Sequence, residues 1–123
     1  MQGIATLYVK AIDTAKENPT LSNQEKSLLN KFKIIMLSGS LDDVDREMTQ
    51  LGMVKRSTLH SVRELAESIY EDWVRSLSID EEEREQMLEE GKRRADVAET
   101  LLSDNLKMQG LLEYSFPRVL KLC

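Results

Sequence analysis

The chain is short of residue types on which enzymes and extracellular proteins depend. Its 123 residues include one cysteine and one histidine. The cysteine, Cys123, has no partner for an internal disulfide, and a prenylation motif would place it four residues from the end rather than last. Because unpaired thiols are typical of reducing compartments, we expect an intracellular protein, in the nucleus or the cytoplasm.

Turn-forming residues are scarce as well, with five glycines and two prolines. A β-sandwich or barrel needs a turn signal about every eight to twelve residues, and this sequence does not supply them. No run of about 18 apolar residues is present, so we expect no membrane-spanning helix. The first nine residues are too short and too mixed in character for a secretory signal. Helices joined by a few loops fit these absences best.

The residues that are abundant are apolar and charged ones, at 41% and 32% of the chain. This balance excludes wholesale disorder. The net charge of −5 comes from the second half, in which residues 62–123 carry 15 acidic and 9 basic side chains. Since proteins hold a phosphate backbone with clustered lysines and arginines, we do not expect a nucleic-acid partner.

Apolar residues at three- and four-residue spacing predict a first helix over residues 4–17. Ser22 and Glu25 have the spacing of a capping box and open a second helix, for which Gly39 is a suitable left-handed end. A third stripe spans residues 41–51. Its early aspartates favour the positive end of a helix dipole, because a calcium loop would need ligands at alternating positions and a central glycine.

A fourth helix has the strongest periodicity in the chain. It is predicted to be capped by Ser57 or Thr58 and to run to about Leu77. Its broad apolar face includes Trp73, the only tryptophan. We expect burial of this ring to stabilise the fold by several kcal/mol.

An acidic helical extension is predicted after the fourth helix. Ser78-Ile-Asp-Glu81 is read as the cap of a fifth helix with a thinner apolar stripe. We interpret Ser103-Asp104-Asn105 as a break before a last amphipathic piece and an apolar tail. The predicted fold is all-α, a compact bundle of about four to five helices. Residues 1–77 form its helical core, and residues 78–123 form a charged helix and tail packed on the same domain.

Constellations that carry out catalysis or hold metals are missing from the sequence. His60 and Glu64 lie one helical turn apart, but a metal site needs three or four ligands. The scattered glycines match neither a phosphate loop nor a dinucleotide fingerprint. Carboxylates such as Glu82, Glu85 and Glu89 lie on a helix predicted to be exposed, without the burial that separates catalytic pKa values. We therefore expect no enzyme, no cofactor and no metal.

Three binding interpretations stay open. A basic cluster beside the fourth helix could flank an apolar groove for an acidic, hydrophobic peptide, or could be a solvated loop. A small-residue seam on the fifth helix could pack against a partner helix, a second copy, or its own domain. The apolar tail over residues 111–122 could dock on the core or on a partner. The candidate protein-binding residues are Lys55, Arg56, Arg63, Ala95, Ala98 and Leu102.

One stretch resembles a known family. Ser61-Val-Arg-Glu-Leu-Ala-Glu-Ser-Ile-Tyr-Glu-Asp-Trp73 is similar to the closing helix of the N-terminal leucine/tryptophan domain of transcription elongation factor TFIIS. The pattern of that helix is Val-Arg-x-Leu-Ala, then six residues and a tryptophan. The matching residues are Val62, Arg63, Leu65, Ala66 and Trp73. The resemblance extends over about residues 28–77, although the connection after Gly52 is shorter than in the family.

The resemblance implies a nuclear bundle of four or five helices that binds short disordered motifs of transcription partners. It carries over only the neighbourhood of Lys55, Arg56 and Arg63 as a binding surface. We predict a non-enzymatic protein–protein interaction module, in transcription or chromatin complexes, that binds a partner peptide or helix. The alternative prediction is a self-associating structural bundle, a homodimer without a peptide-binding groove.

Overall fold

The computed structural model describes residues 3–39 and 52–113. Within these ranges the chain forms four helices and two two-residue strands, which pair in parallel. The elements are α1 (Ile4–Lys16), α2 (Asn23–Ser38), β1 (Val54–Lys55), α3 (Arg56–Ser76), α4 (Glu81–Met108) and β2 (Leu112–Glu113). The prediction of an all-α bundle is confirmed. The predicted helix over residues 41–51 and the tail from residue 114 lie outside the described residues.

The first two helices begin and end where the sequence predicts. In α2 the Ser22 hydroxyl accepts from the Glu25 amide at 3.1 Å, and the Glu25 carboxylate accepts from the Ser22 amide at 2.8 Å. Both bonds satisfy amides that a helix start leaves unpaired. Gly39 then ends α2 in the left-handed conformation with a φ of 71°, which costs glycine little.

The start of α3 differs from the prediction. Neither Ser57 nor Thr58 caps the helix, which begins at Arg56 after Lys55 and has no side-chain cap. Lys55 still has extended backbone, because it is the last residue of β1 and pairs with Glu113 of β2. The strand pairing therefore decides where α3 begins.

Helix α4 also departs from the prediction at both ends. Its cap is Asp80 rather than Ser78, since the Asp80 carboxylate accepts from the Glu83 amide at 2.8 Å. The expected break at residues 103–105 does not occur, and the helix continues to Met108. The fully buried Leu102 and Leu106 hold this stretch on the core, so packing overrides the weak helix preference of serine, aspartate and asparagine.

The core is shared by all four helices and both strands. At its centre the rings of Tyr8 in α1 and Tyr70 in α3 lie with centroids 4.8 Å apart. Among the described residues, Tyr70 is the largest fully buried side chain, whereas Trp73 packs at the edge of the core and is only partly buried. The stabilisation that the sequence predicted from burial of Trp73 is therefore expected from Tyr70, one turn earlier in α3.

Among the described residues, none of the helices combines the length and the apolar character needed to cross a bilayer.

Candidate functional site

The predicted basic cluster does not stay together at the surface. Lys55 is exposed on β1, and Arg56 is half-buried at the start of α3. Arg63, two turns further along α3, is only 7% exposed. It is therefore part of the interior and offers no charge to the rim of a groove.

Arg63 joins α3 to α4 through ion pairs. Its guanidinium lies 2.6 Å from the carboxylate of Asp96 and 3.0 Å from that of Glu99, both on α4. It also pairs with Glu67, one turn further along α3, at 3.1 Å. A buried arginine is tolerated when carboxylates pair with its charge in this way, although within the described residues the Nε–H of Arg63 has no hydrogen-bond partner. We call these four residues the Arg63 cluster.

The electrostatics of the Arg63 cluster keep the arginine charged. Burial alone would lower the pKa of Arg63, but the hydrogen bonds to Asp96 and Glu99 and the charge of Glu67 raise it above its ordinary value. His60 adds to the cluster from the solvent side, with Nδ1 3.2 Å from Glu99. Within residues 3–39 and 52–113, no three histidine, cysteine or acidic side chains are arranged to hold a metal ion.

The small-residue seam of α4 is occupied by the chain itself. Ala95, Ala98 and Leu102 are each at most 1% exposed, so these predicted binding residues offer no surface to a second copy or a partner helix. At Gly91, an added Cβ would lie 2.3 Å from Cε2 of Tyr70, a distance that side chains do not tolerate. The small residues thus allow the bundle to close around α4.

The Tyr70 hydroxyl adds a hydrogen bond between α3 and α4. It donates a 2.6 Å hydrogen bond to the carbonyl of Met87, in the turn of α4 before Gly91. Burial raises the pKa of Tyr70 to about 12, and nearby charges modify the shift. The neutral phenol is therefore the form that the fold holds.

Within the described residues, a groove with apolar walls lies between α2 and α4. One hollow of about 220 Å³ lies between the end of α2 and the middle of α4, and a second shares its Val97 and Leu101. Val97 is 50% exposed, whereas Leu101 is half-buried. We call this surface the α2–α4 groove, and its main lining residues are Ile35, Met36, Gly39, Arg93, Arg94, Val97, Ala98 and Leu101.

The rim of the α2–α4 groove is basic at the end formed by Arg93 and Arg94, whereas the second hollow is lined by Asp96, whose side chain is 57% exposed. The side chains of Arg93 and Arg94 are 67% and 43% exposed, and both bond to the carboxylate of Glu90. The hydrogen bond from Arg93 is the main cause that lowers the pKa of Glu90. A single carboxylate between two guanidinium groups leaves this end of the groove with a net positive charge.

A larger hollow of about 630 Å³ lies where the start of α1 meets the first half of α4. Its apolar lining is limited to Ile4 and Met87, and its other side chains include Glu83 and Glu89. Its lining differs from that of the α2–α4 groove in charge, because Glu90 adds a third carboxylate and Arg93, which also lines the groove, is its only basic side chain. This hollow is therefore acidic, whereas the main hollow of the α2–α4 groove is lined by two arginines and no carboxylate.

Of the residues that line the groove, only Ala98 was among the predicted binding residues, and its side chain is only 1% exposed. Val97 taken alone does not indicate a binding surface, because a single apolar residue on a charged helix face is common. Val97 and Leu101 do have the four-residue spacing of a second narrow stripe beside the main one. That spacing is the signal by which the groove could have been found.

Comparison of the chain with protein-family models, with curated proteins and with solved structures found no match in any of the three.

Proposed function

We propose that the chain is a non-enzymatic protein–protein interaction module and that it binds its partner in the α2–α4 groove. The observation that carries this proposal is the half-exposed Val97, which adjoins Leu101 and faces a hollow shared with Ile35 and Met36. An apolar groove bordered by charges is the usual form of a peptide-docking surface. The basic rim predicted at Lys55, Arg56 and Arg63 is replaced in this proposal by Arg93 and Arg94.

The resemblance to the TFIIS N-terminal domain supports a nuclear, transcription-linked setting as part of the same proposal. It does not supply the docking surface, since its carried-over Arg63 is buried. The self-associating alternative receives less support, because the three seam residues on which it depends are buried within the single chain.

The test is a comparison of proteins retained by three forms of the full chain. These are the wild type, Val97→Glu, and Met108→Glu as a matched control, because Met108 is 86% exposed and lies outside the groove. Proteins captured from a nuclear or a cytoplasmic extract are identified by mass spectrometry, and each candidate is then titrated as a purified protein.

We expect at least one purified partner that binds the wild type and Met108→Glu equally but loses affinity for Val97→Glu. Burying the introduced carboxylate under an apolar partner face would be costly. Circular dichroism should show the same helicity for the three forms. If every partner binds Val97→Glu as tightly as the wild type, the groove is not the docking surface.

A further inference from the structure

We infer, resting on the function proposed above, that the occupant of the α2–α4 groove is an amphipathic helix of a partner protein whose apolar face is flanked by carboxylates. This inference names the secondary structure and the charge of the partner. Both follow from the walls and the rim of the groove.

The walls of the groove favour a helix over an extended strand. The α4 wall runs from Arg93 to Leu101, which is about 12 Å of helix axis. These residues lie in the middle of α4, where backbone amides and carbonyls bond within the helix. An added strand needs unpaired backbone groups, and this wall presents none. Val97 and Leu101, one turn apart, instead match the spacing with which a partner helix repeats its apolar anchors.

The rim of the groove favours carboxylates on the partner. Each guanidinium has five N–H donors, and Glu90 supplies a single carboxylate to Arg93 and Arg94 together. Asp96, the nearest other acid along this wall, pairs with Arg63 at 2.6 Å. Donors on two exposed arginines therefore remain available for bidentate bonds to an incoming carboxylate.

The negative net charge of the whole chain does not reverse this preference. At physiological ionic strength, charges separated by more than about 8 Å are largely screened, so the local arginines dominate once the partner is close. The overall charge of −5 instead slows the approach of an acidic partner. We therefore expect the affinity for such a partner to depend moderately on the salt concentration.

The test is a selection of random sequences displayed on a single-helix scaffold against the full-length chain. Selected helices are then synthesised and titrated against the wild type, Val97→Glu, Arg93→Glu/Arg94→Glu, and Lys55→Glu/Arg56→Glu. The last variant is the matched control, because it makes the same charge change outside the groove. Arg93→Gln/Arg94→Gln is included because it removes the charges without placing new carboxylates beside Glu90.

We expect the selected helices to carry aspartate or glutamate beside an apolar stripe with three- and four-residue spacing. Their affinity should fall about tenfold with Arg93→Glu/Arg94→Glu, less with the glutamine pair, and little with the control pair, since exposed charge pairs each contribute modestly. Replacing the acids of a selected helix with lysine should restore binding to Arg93→Glu/Arg94→Glu.

Other outcomes separate the two proposals. Helices that depend on Val97 but show no acidic bias and ignore both arginine variants overturn the charge inference and leave the groove function standing. Helices that bind Val97→Glu normally overturn the groove function itself. A dimer in sedimentation that the selected helix dissociates would assign the groove to a second copy of this chain and overturn the inference of a partner protein.

Discussion

Helix α4 has a closed side and an open side. On the closed side Gly91 lies against the ring of Tyr70, and Arg63 reaches across from α3 to Asp96 and Glu99. On the open side Val97 remains half-exposed beside α2. The closed side of α4 holds the fold together, and the open side is the one on which we propose that a partner binds. Substitutions on the two sides should therefore have separable effects.

The largest expected contrast is between Leu102→Ala and Val97→Ala. Leu102 is fully buried, so its truncation leaves a cavity and should lower the free energy of unfolding by about 2 to 5 kcal/mol. Val97→Ala should change it by less than about 0.5 kcal/mol, because half of that side chain is in water already. Urea unfolding followed by circular dichroism measures both. Equal losses would show that the open side is as important for the fold as the closed side.

Breaking the Arg63 cluster should have the next largest effect. Arg63→Met keeps an apolar stem but leaves three carboxylates without their guanidinium, which should cost about 2 to 3 kcal/mol. The upper end of the range for buried pairs is not expected, because Asp96 and Glu99 are partly exposed and water can solvate them. Arg63→Lys keeps the charge and loses the planar donor geometry. Its free energy of unfolding should therefore lie between those of Arg63→Met and the wild type.

A loss below about 0.5 kcal/mol for Arg63→Met, again by urea unfolding, would mean that the cluster is a surface network of little weight. In that case Arg63 could still be considered part of a binding surface, as the sequence first indicated.

Much of the helical framework could be predicted because its signals are local. The capping box of Ser22 and Glu25, the left-handed Gly39 and the apolar stripe of α1 each depend on residues within a few positions. The burial of Arg63 could not be predicted in this way. Its partners Asp96 and Glu99 come from another helix, so the local pattern shows only a basic residue beside Val62.

The start of α3 shows again that a contact between residues distant in sequence can override a local signal. Ser57 and Thr58 are good caps by residue type, yet the pairing of β1 with β2 places the start of α3 before them. Two-residue strands are too short for an alternating pattern, so neither strand was predicted. The groove is a third case, because its two walls come from α2 and α4, which are distant in sequence.

Gly91→Ala should destabilise the chain although alanine is the better helix former. The gain in helix preference is about 1 kcal/mol, but the added Cβ must displace the buried Tyr70 ring, which should cost about 1 to 3 kcal/mol. We expect a net loss in urea unfolding. Gly3→Ala is a control for the added methyl group alone, because nothing lies within 4 Å of a Cβ at that position. Gly3 is the N-cap of α1, so this variant should lose a little stability from the poorer cap and gain none from helix preference. An increase in the free energy of unfolding for Gly91→Ala would show that the Tyr70 ring can move aside without cost.

The smallest expected effect is a pH dependence confined to the closed side. In the unfolded chain tyrosine ionises near pH 10, whereas burial raises the pKa of Tyr70 to about 12 in the folded chain. Between these values the unfolded state binds fewer protons than the folded one, so the free energy of unfolding falls as pH rises. Below pH 10 both states hold the proton and the contribution is complete. At pH 10.5 the loss should be below about 1 kcal/mol.

Urea unfolding at pH 8 and at pH 10.5 measures this effect as a difference between the two conditions. Tyr70→Phe should show a smaller difference than the wild type, separately from the uniform loss of about 1 kcal/mol caused by removing its bond to Met87. Part of the dependence should remain in that variant, because burial also raises the pKa of Tyr8. Val97→Glu should keep the full wild-type difference. A reduced difference in Val97→Glu would mean that the open side is coupled to Tyr70, so that binding in the groove would also alter the packing of the core.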